Sequence, residues 1–389
     1  MSNFSNLRAF ITGGTGFIGG RLTQSLIKEH GAAVTVLAHR TSAGALRAAR
    51  DGAELCFAPL TDESALVKAT AGVDVIFHLA FGKYGDAAEQ KTITIDGTRA
   101  LVNAALKNKV KNFVYVSTCA VYYNKQTEAT ITENSPSGPW GWNYADEKYA
   151  AEEVVRAAIR DQGLPGTIIQ VVGVYGPWGD TFTVGPLKQL SEGRVVLPND
   201  GSAYANPTFV DDVVQALYLS LQNSAIGQTF IIRGPDQATR KQYYNAYEKM
   251  LGITALEFMP LEEIKRQSRM SWRGIAQLAP AGIRALSSSR DFKEAVRETP
   301  FAPMARKLYR SLQLKKTPSV AAAAPAKTAP QKPLIFPPAI VLEFGAAKLE
   351  YSPQKAIDIL GYKPRYSLAE GMALTEEWAK WARLTQHPK

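Results

Sequence analysis

The chain has 389 residues, 46% of them hydrophobic and 21% charged, the balance of a globular protein with a sizeable core in one large domain or two interleaved ones. Its formal net charge is +10, yet residues 261–316 alone hold thirteen Lys or Arg against five Asp or Glu, so the excess is local and a general nucleic-acid binder is excluded. The only cysteines, Cys56 and Cys119, have no metal-type spacing and form no disulfide framework; with no secretory pattern in residues 1–8 and no apolar run of roughly 18 residues, a cytoplasmic protein is expected.

The first half alternates short apolar runs with helical patterns. Residues 9–12 predict a strand, 17–30 a helix, 33–38 a strand, 41–49 a helix and 54–58 a strand. A helix over 64–71, a strand over 74–79, a helix over 96–108 and a strand over 112–117 continue the series. A helix over 144–161 and a strand over 166–172 complete it. Such alternation predicts an α/β fold, a Rossmann-type doubly wound parallel sheet with helices on both faces. Beyond Tyr175-Gly-Pro177 the pattern is irregular. Strand and helix patterns return at 207–221 and 228–233, and 256–314 reads as largely helical and basic. Residues 320–338 form an Ala/Pro-rich linker, and helices are expected over 353–360 and 368–384. Residues 1–178, joined by about 207–235, are therefore assigned to the Rossmann domain. Residues 179–206 and 236–389 are assigned to a smaller, mostly helical substrate-binding part.

The first strand runs into Thr12-Gly-Gly-Thr-Gly-Phe-Ile-Gly19, and Gly13, Gly16 and Gly19 give a G-x-x-G-x-x-G spacing. Between a strand and a helix, such glycines permit a tight turn and close approach of a pyrophosphate to the helix N-terminus. The second strand ends Leu37-Ala-His-Arg40, without the acidic residue that commonly holds the ribose of NAD. Arg40 could instead pair with a 2′-phosphate, which favours NADP(H) and leaves NAD(H) open. Farther on, Tyr144-Ala-Asp-Glu-Lys148 places a phenol and an amine on one helical face. A nearby ammonium lowers a phenol's pKa, so such a tyrosine can exchange a proton with a substrate oxygen while hydride moves to or from nicotinamide. Alone, that spacing is a weak signal. It gains weight from Thr118, 26 residues upstream at the end of the fifth strand, whose hydroxyl could bond the reacting oxygen.

Together these motifs resemble the extended short-chain dehydrogenase/reductase superfamily, the group of NAD-dependent epimerases and dehydratases. The resemblance covers nearly the whole chain. It is carried by Thr12–Gly19, Asp74-Val-Ile-Phe-His-Leu-Ala80, Asp96-Gly-Thr98, Ser117-Thr118, Tyr144 with Lys148, Val174-Tyr-Gly-Pro177, Phe209-Val-Asp-Asp-Val213, and by Lys355–Pro364 with Glu370-Gly371 and Trp378. It implies Thr118, Tyr144 and Lys148 as catalytic residues. It implies cofactor contacts at Gly13, Gly16, Phe17, Ile18, Leu60, Leu79, Ala80 and Ser117 and in the segment after Gln170. Lys83 falls where some sugar epimerases contact the cofactor phosphate. His78 is typical of that strand and reads as structural. Several positions depart from the pattern. Ala58-Pro-Leu60 stands for Gly-Asp-Leu, Thr94 for Asn and Gln170-Val171 for Arg-Pro. Tyr123 replaces a common Gly, and Thr118-Cys-Ala lacks the Thr-Asp-Glu run of dehydratases, so dehydration is disfavoured.

The expected activity is hydride transfer at a carbonyl or secondary alcohol, with a nucleotide sugar as first choice of substrate. A steroid- or flavonoid-like ketone or alcohol is the alternative, and a non-catalytic dinucleotide-binding sensor or scaffold is the reading from another class. No metal and no specific nucleic-acid partner is expected. In the basic segment, Trp272, Ile275 and Ala279 share helical spacing beside Arg269 and Arg273. That pattern suits a lid, a homodimer contact, a solvated face, or peripheral contact with the anionic inner surface of a membrane.

Overall fold

The computed structural model describes residues 4–125, 129–267 and 332–385. Most of the basic segment, with Arg269, Trp272, Arg273, Ile275 and Ala279, and most of the Ala/Pro-rich tract lie outside the described residues.

The chain opens with β1 (Arg8–Thr12), α1 (Phe17–Lys28), β2 (Ala33–Ala38), α2 (Ala43–Asp51), β3 (Glu54–Phe57), α3 (Glu63–Ala69) and β4 (Val75–His78). Next come α4 (Ala87–Lys91), α5 (Gly97–Lys107), β5 (Asn112–Thr118), β6 (Thr130–Ile131), α6 (Asn143–Gln162), β7 (Gly166–Val171) and β8 (Val174–Tyr175). There follow α7 (Gly185–Glu192), β9 (Arg194–Pro198), β10 (Thr208–Phe209), α8 (Val210–Leu219), β11 (Thr229–Ile232), α9 (Arg240–Leu251) and β12 (Leu256–Met259). The last elements are β13 (Leu334–Ile335), α10 (Ala339–Ala346), β14 (Glu350–Tyr351), α11 (Gln354–Leu360) and α12 (Leu368–Trp381).

Seven strands form the main sheet in the order β3-β2-β1-β4-β5-β7-β11, every pair parallel. All four residues of β4 are buried, as are all four of β11, because helices cover both faces. The strand period of two sends neighbouring side chains to opposite layers. Ala9 and Ile11 join a core with Leu22, Leu26, Val213 and Leu217 of α1 and α8, whereas Phe10 joins one with Leu101, Ala151 and Val155 of α5 and α6. Strand order reverses between β1 and β4, and a doubly wound sheet opens its ligand crevice at the carboxyl ends of such strands.

The smaller part departs from the helical expectation. Leu256–Met259, expected to open a helical stretch, is extended and pairs in parallel with Val195–Pro198. Leu334–Ile335, expected within the linker, pairs with Arg194 and Val195 on the other side of β9. A three-stranded sheet therefore accompanies the helices there. The partner strand decides this, because four apolar-rich residues carry too little periodicity to choose a helix. Among the described residues no helix is long and apolar enough to cross a membrane. Two cations of the basic segment are already engaged: Lys265 with Glu262 and Glu343, and Arg266 with Glu263.

Candidate active site

The glycine-rich turn lies at the mouth of the crevice. Gly13 has φ of 74°, and a Cβ there would stand 2.8 Å from the Ala80 nitrogen, so only glycine lets β1 pass this close to the end of β4. At Gly19 a Cβ would collide with the Gly13 carbonyl oxygen, so this glycine lets α1 start against the turn. Gly16 precedes α1 without a side-chain cap, which leaves the first-turn N–H groups of Phe17, Ile18 and Gly19 as donors for an anion. Leu79 and Ala80 hold the opposite wall through hydrogen bonds from their N–H groups to Thr12, at 3.1 and 3.3 Å. Leu60 is buried against Gly97. Arg40 is exposed just beyond β2.

His78 is buried beneath this turn. Thr98 donates to the Thr94 carbonyl, so it must accept from His78 Nε2 at 2.8 Å, which leaves Nδ1 to accept from Thr12 at 2.6 Å. Burial, with the nearby Lys148 charge, holds its pKa down to about 3. The ring is a neutral strut between β1, β4 and α5, in keeping with a structural role.

Tyr144 and Lys148 lie one turn apart on α6, beside the end of β5. Burial raises the Tyr144 pKa, and a hydrogen bond from the Thr118 hydroxyl works against that rise. Thr118 also accepts from the Ala120 N–H at 3.2 Å, which fixes its hydroxyl beside the phenol. Lys148 is buried, donates from Nζ to the Val116 carbonyl at 2.7 Å, and sits 4.1 Å above the Tyr115 ring. Burial pulls its pKa down to about 7, and Glu152 opposes that shift. Next to Thr118, Ser117 Oγ is a buried polar atom without a partner among the described residues. An orphaned hydroxyl, a glycine cradle closed to any Cβ and uncapped helix donors together fit a dinucleotide.

Behind the helix lies a buried network. Gln170 accepts from the Tyr122 hydroxyl at 2.7 Å and donates to Glu152 at 3.0 Å, while Arg156 bonds the same carboxylate from one turn along α6. Gln170 and Arg156 thus share the Glu152 carboxylate.

Three features of the site gave no sequence signal. Phe81 packs edge-on against the Tyr144 ring at 5.4 Å, and Trp142 lies tilted 5.1 Å from the same ring, with Trp140 edge-on to Trp142 at 5.6 Å. Arg47 of α2 reaches back to the Gly16 carbonyl at 3.0 Å. Trp178, just past β8, lies under that same guanidinium, 5.2 Å away.

A family model described as the NAD dependent epimerase/dehydratase family matches residues 9–232. The N-acetyl-alpha-D-glucosaminyl-diphospho-ditrans,octacis-undecaprenol 4-epimerase of Escherichia coli O157:H7 is 31% identical over 174 residues, 43% of this chain and 51% of that protein. The chain therefore spans about half the length of that relative. A dTDP-glucose 4,6-dehydratase of Mycobacterium tuberculosis is 29% identical over 240 residues, 58% of this chain and 72% of the relative. A 2-alkyl-3-oxoalkanoate reductase of Stenotrophomonas maltophilia is 27% identical over 227 residues, 57% and 67% of the two chains. Among solved structures, UDP-glucose 4-epimerase from Thermotoga maritima superposes with a TM-score of 0.67 at 21% identity, covering 97% of this chain and all of that one, a likeness of fold.

Proposed function

Because the chain belongs to the NAD dependent epimerase/dehydratase family, we propose that it is a dinucleotide-dependent oxidoreductase or epimerase in which Tyr144 moves the proton. The observation that carries this reading is the trio of buried Thr118, half-buried Tyr144 and buried Lys148 at the carboxyl edge of the sheet, beside the glycine cradle. A bound nicotinamide supplies the hydride acceptor or donor. Tyr144 Oη takes the proton of a secondary alcohol as its C–H hydride departs, and returns a proton to the carbonyl oxygen in the reverse direction. Thr118 orients that oxygen through its hydroxyl. Lys148 favours the phenolate when it carries its charge. Gly13, Gly16, Phe17, Ile18 and Gly19 take the pyrophosphate, with Leu60, Leu79, Ala80 and Ser117 lining the rest of the cofactor's path.

A nucleotide sugar is the substrate class that the dTDP-glucose relative supports, while the Escherichia coli relative is named for a sugar carried on a polyprenyl diphosphate, so a diphosphate-linked sugar is common to both. Epimerisation or simple oxidation and reduction suits the site better than dehydration. Where a dehydratase needs an acid and a base after the threonine, Cys119 is buried with its thiol pKa pushed well up, and Ala120 brings no proton at all. A second reading, an apolar ketone or alcohol, is favoured by the aromatic wall of Phe81, Trp142 and Trp140 around Tyr144 and is in keeping with the alkyl-oxoalkanoate relative.

The test is turnover of nucleotide sugars and of apolar ketones by the wild type and Tyr144→Phe. Loss of about 10²-fold or more in kcat, with dinucleotide affinity kept, is expected; equal turnover would remove the role given to Tyr144. Cofactor preference is a separate matter. Arg40, exposed where the 2′-position would lie, supports NADP(H). Arg40→Ala is expected to weaken NADPH about tenfold, roughly 1.4 kcal/mol, and to leave NADH unchanged. Equal affinities for the two dinucleotides in the wild type would contradict the preference.

A further inference from the structure

The residues just after β8 join walls of the crevice that are far apart in sequence. Trp178 has φ of 72°, the left-handed region that bulky side chains avoid, and its ring is half exposed. That ring is held from two directions. The Arg47 guanidinium, itself bonded to the Gly16 carbonyl of the cofactor turn, covers it at 5.2 Å. From the C-terminal helix α12, Trp378 packs tilted against it at 5.6 Å and Trp381 edge-on at 5.7 Å. The next residue, Gly179, lies so close to the Phe17 ring at the start of α1 that a Cβ would stand 3.1 Å from it. One residue farther, Asp180 accepts from Lys83 Nζ at 2.7 Å, and Lys83 belongs to the loop that follows β4 and Ala80. Three consecutive residues thus touch the glycine turn, the loop after β4 and the C-terminal helix. Those first two segments are the walls between which the dinucleotide phosphates lie in the reading above.

We propose that Trp178 and Asp180 form a clasp across the cofactor crevice that retains the bound dinucleotide and sets the rate of its release. The proposal rests on the reading of this crevice as the dinucleotide site. Two physical features make the clasp both firm and able to open. The Trp178 ring is gripped by the Arg47 guanidinium and the two α12 tryptophans, yet it is half exposed, so it can let go without opening the core. The Lys83–Asp180 pair is exposed on both sides, so salt weakens it. The ion pair raises the Lys83 pKa, so the link is intact at neutral pH.

The experiment measures dinucleotide release by stopped-flow chase of bound NADPH or NADH fluorescence with excess oxidised cofactor, at low and high NaCl. Wild type, Asp180→Asn and Trp178→Gly are compared. Asp180→Asn alters an exposed side chain, and glycine at 178 accepts the left-handed backbone without strain, so both chains are expected to fold. The release rate should rise about tenfold in Trp178→Gly and several-fold in Asp180→Asn, and Asp180→Asn should lose part of the salt dependence of the wild type. Wild-type release rates reproduced by both variants at both salt concentrations would overturn the clasp while leaving the dinucleotide site intact. A wild type that binds neither dinucleotide would overturn the site and the clasp together.

Discussion

Lys148 is the residue whose surroundings ask most of it. Its ammonium is buried over the Tyr115 ring with one carbonyl acceptor, and its pKa falls from 10.5 to about 7. Above pH 7 the folded chain has released a proton that the unfolded chain keeps until about pH 10.5. The unfolded state then binds more protons, so the contribution of this residue to stability rises as pH rises through that window. Each pKa unit corresponds to about 1.4 kcal/mol, and a chain of this size moves about 1 °C in Tm per kcal/mol. Between pH 7 and 9 the Tm of the cofactor-free wild type is therefore expected to gain about 2–3 °C relative to Lys148→Met. Thermal unfolding of the two proteins across that range checks this; parallel curves would mean that another group titrates. The same arrangement explains Tyr144. Its phenol is held protonated by burial, the form in which the proposed role as an acid would begin.

At the scale of elements, what the sequence could show depends on where the determining information lies. The turn from β1 to α1 is legible because three glycines at fixed spacing encode a backbone path that other residues cannot follow. Tyr144 and Lys148 are legible because four residues make one helical turn. Gln170 shows the opposite case. Its departure from the expected Arg is visible in sequence, but the partner it shares with Arg156 appears only once α6 and β7 are packed, when both side chains meet on Glu152. The sheet of β12, β9 and β13 was illegible for a related reason. Its strands are contributed by three distant parts of the chain, and each is too short to announce itself. Trp178 is the extreme instance. The preference of a bulky side chain argues against its left-handed backbone at a cost of about 1–3 kcal/mol, and the turn bond from Gly179 N–H to the Gly176 carbonyl together with ring contacts from α2 and α12 sustains it. The aromatic wall at Phe81 and Trp142 follows the same rule, since the two rings come from different loops and meet only at Tyr144.

Across the whole molecule, the C-terminal elements are fastened to the Rossmann core by polar bonds as well as by packing. Asp212 at the start of α8 accepts from the N–H groups of Arg365 and Tyr366, and Tyr362 donates to the Arg233 carbonyl, while within the core the bidentate Arg21–Asp211 pair ties α1 to α8. Burial raises the Asp212 pKa to about 6 in spite of those two donors. The smaller part has its own junction. Val196, Ile264 and Leu342 are buried together, with Leu334 and Phe336 packed on them, and Lys265 bridges to Glu343 at 2.9 Å.

That junction makes the chain's departure point and its return point neighbours. Ile264 and Leu334 therefore share one small platform, so a short connection can span from one described part to the other. In engineering terms the platform is a graft site. Replacing residues 268–331 with a flexible linker of about ten residues should leave Tm within a few degrees and dinucleotide affinity unchanged, because shortening a loop alters closure entropy only slowly. Calorimetry and a cofactor titration on the shortened chain would check this, and a collapse of both would show that the excised residues belong to the scaffold. If both are kept, the dinucleotide-handling body and the positively charged appendage are separable modules, free to be exchanged without rebuilding the catalytic crevice.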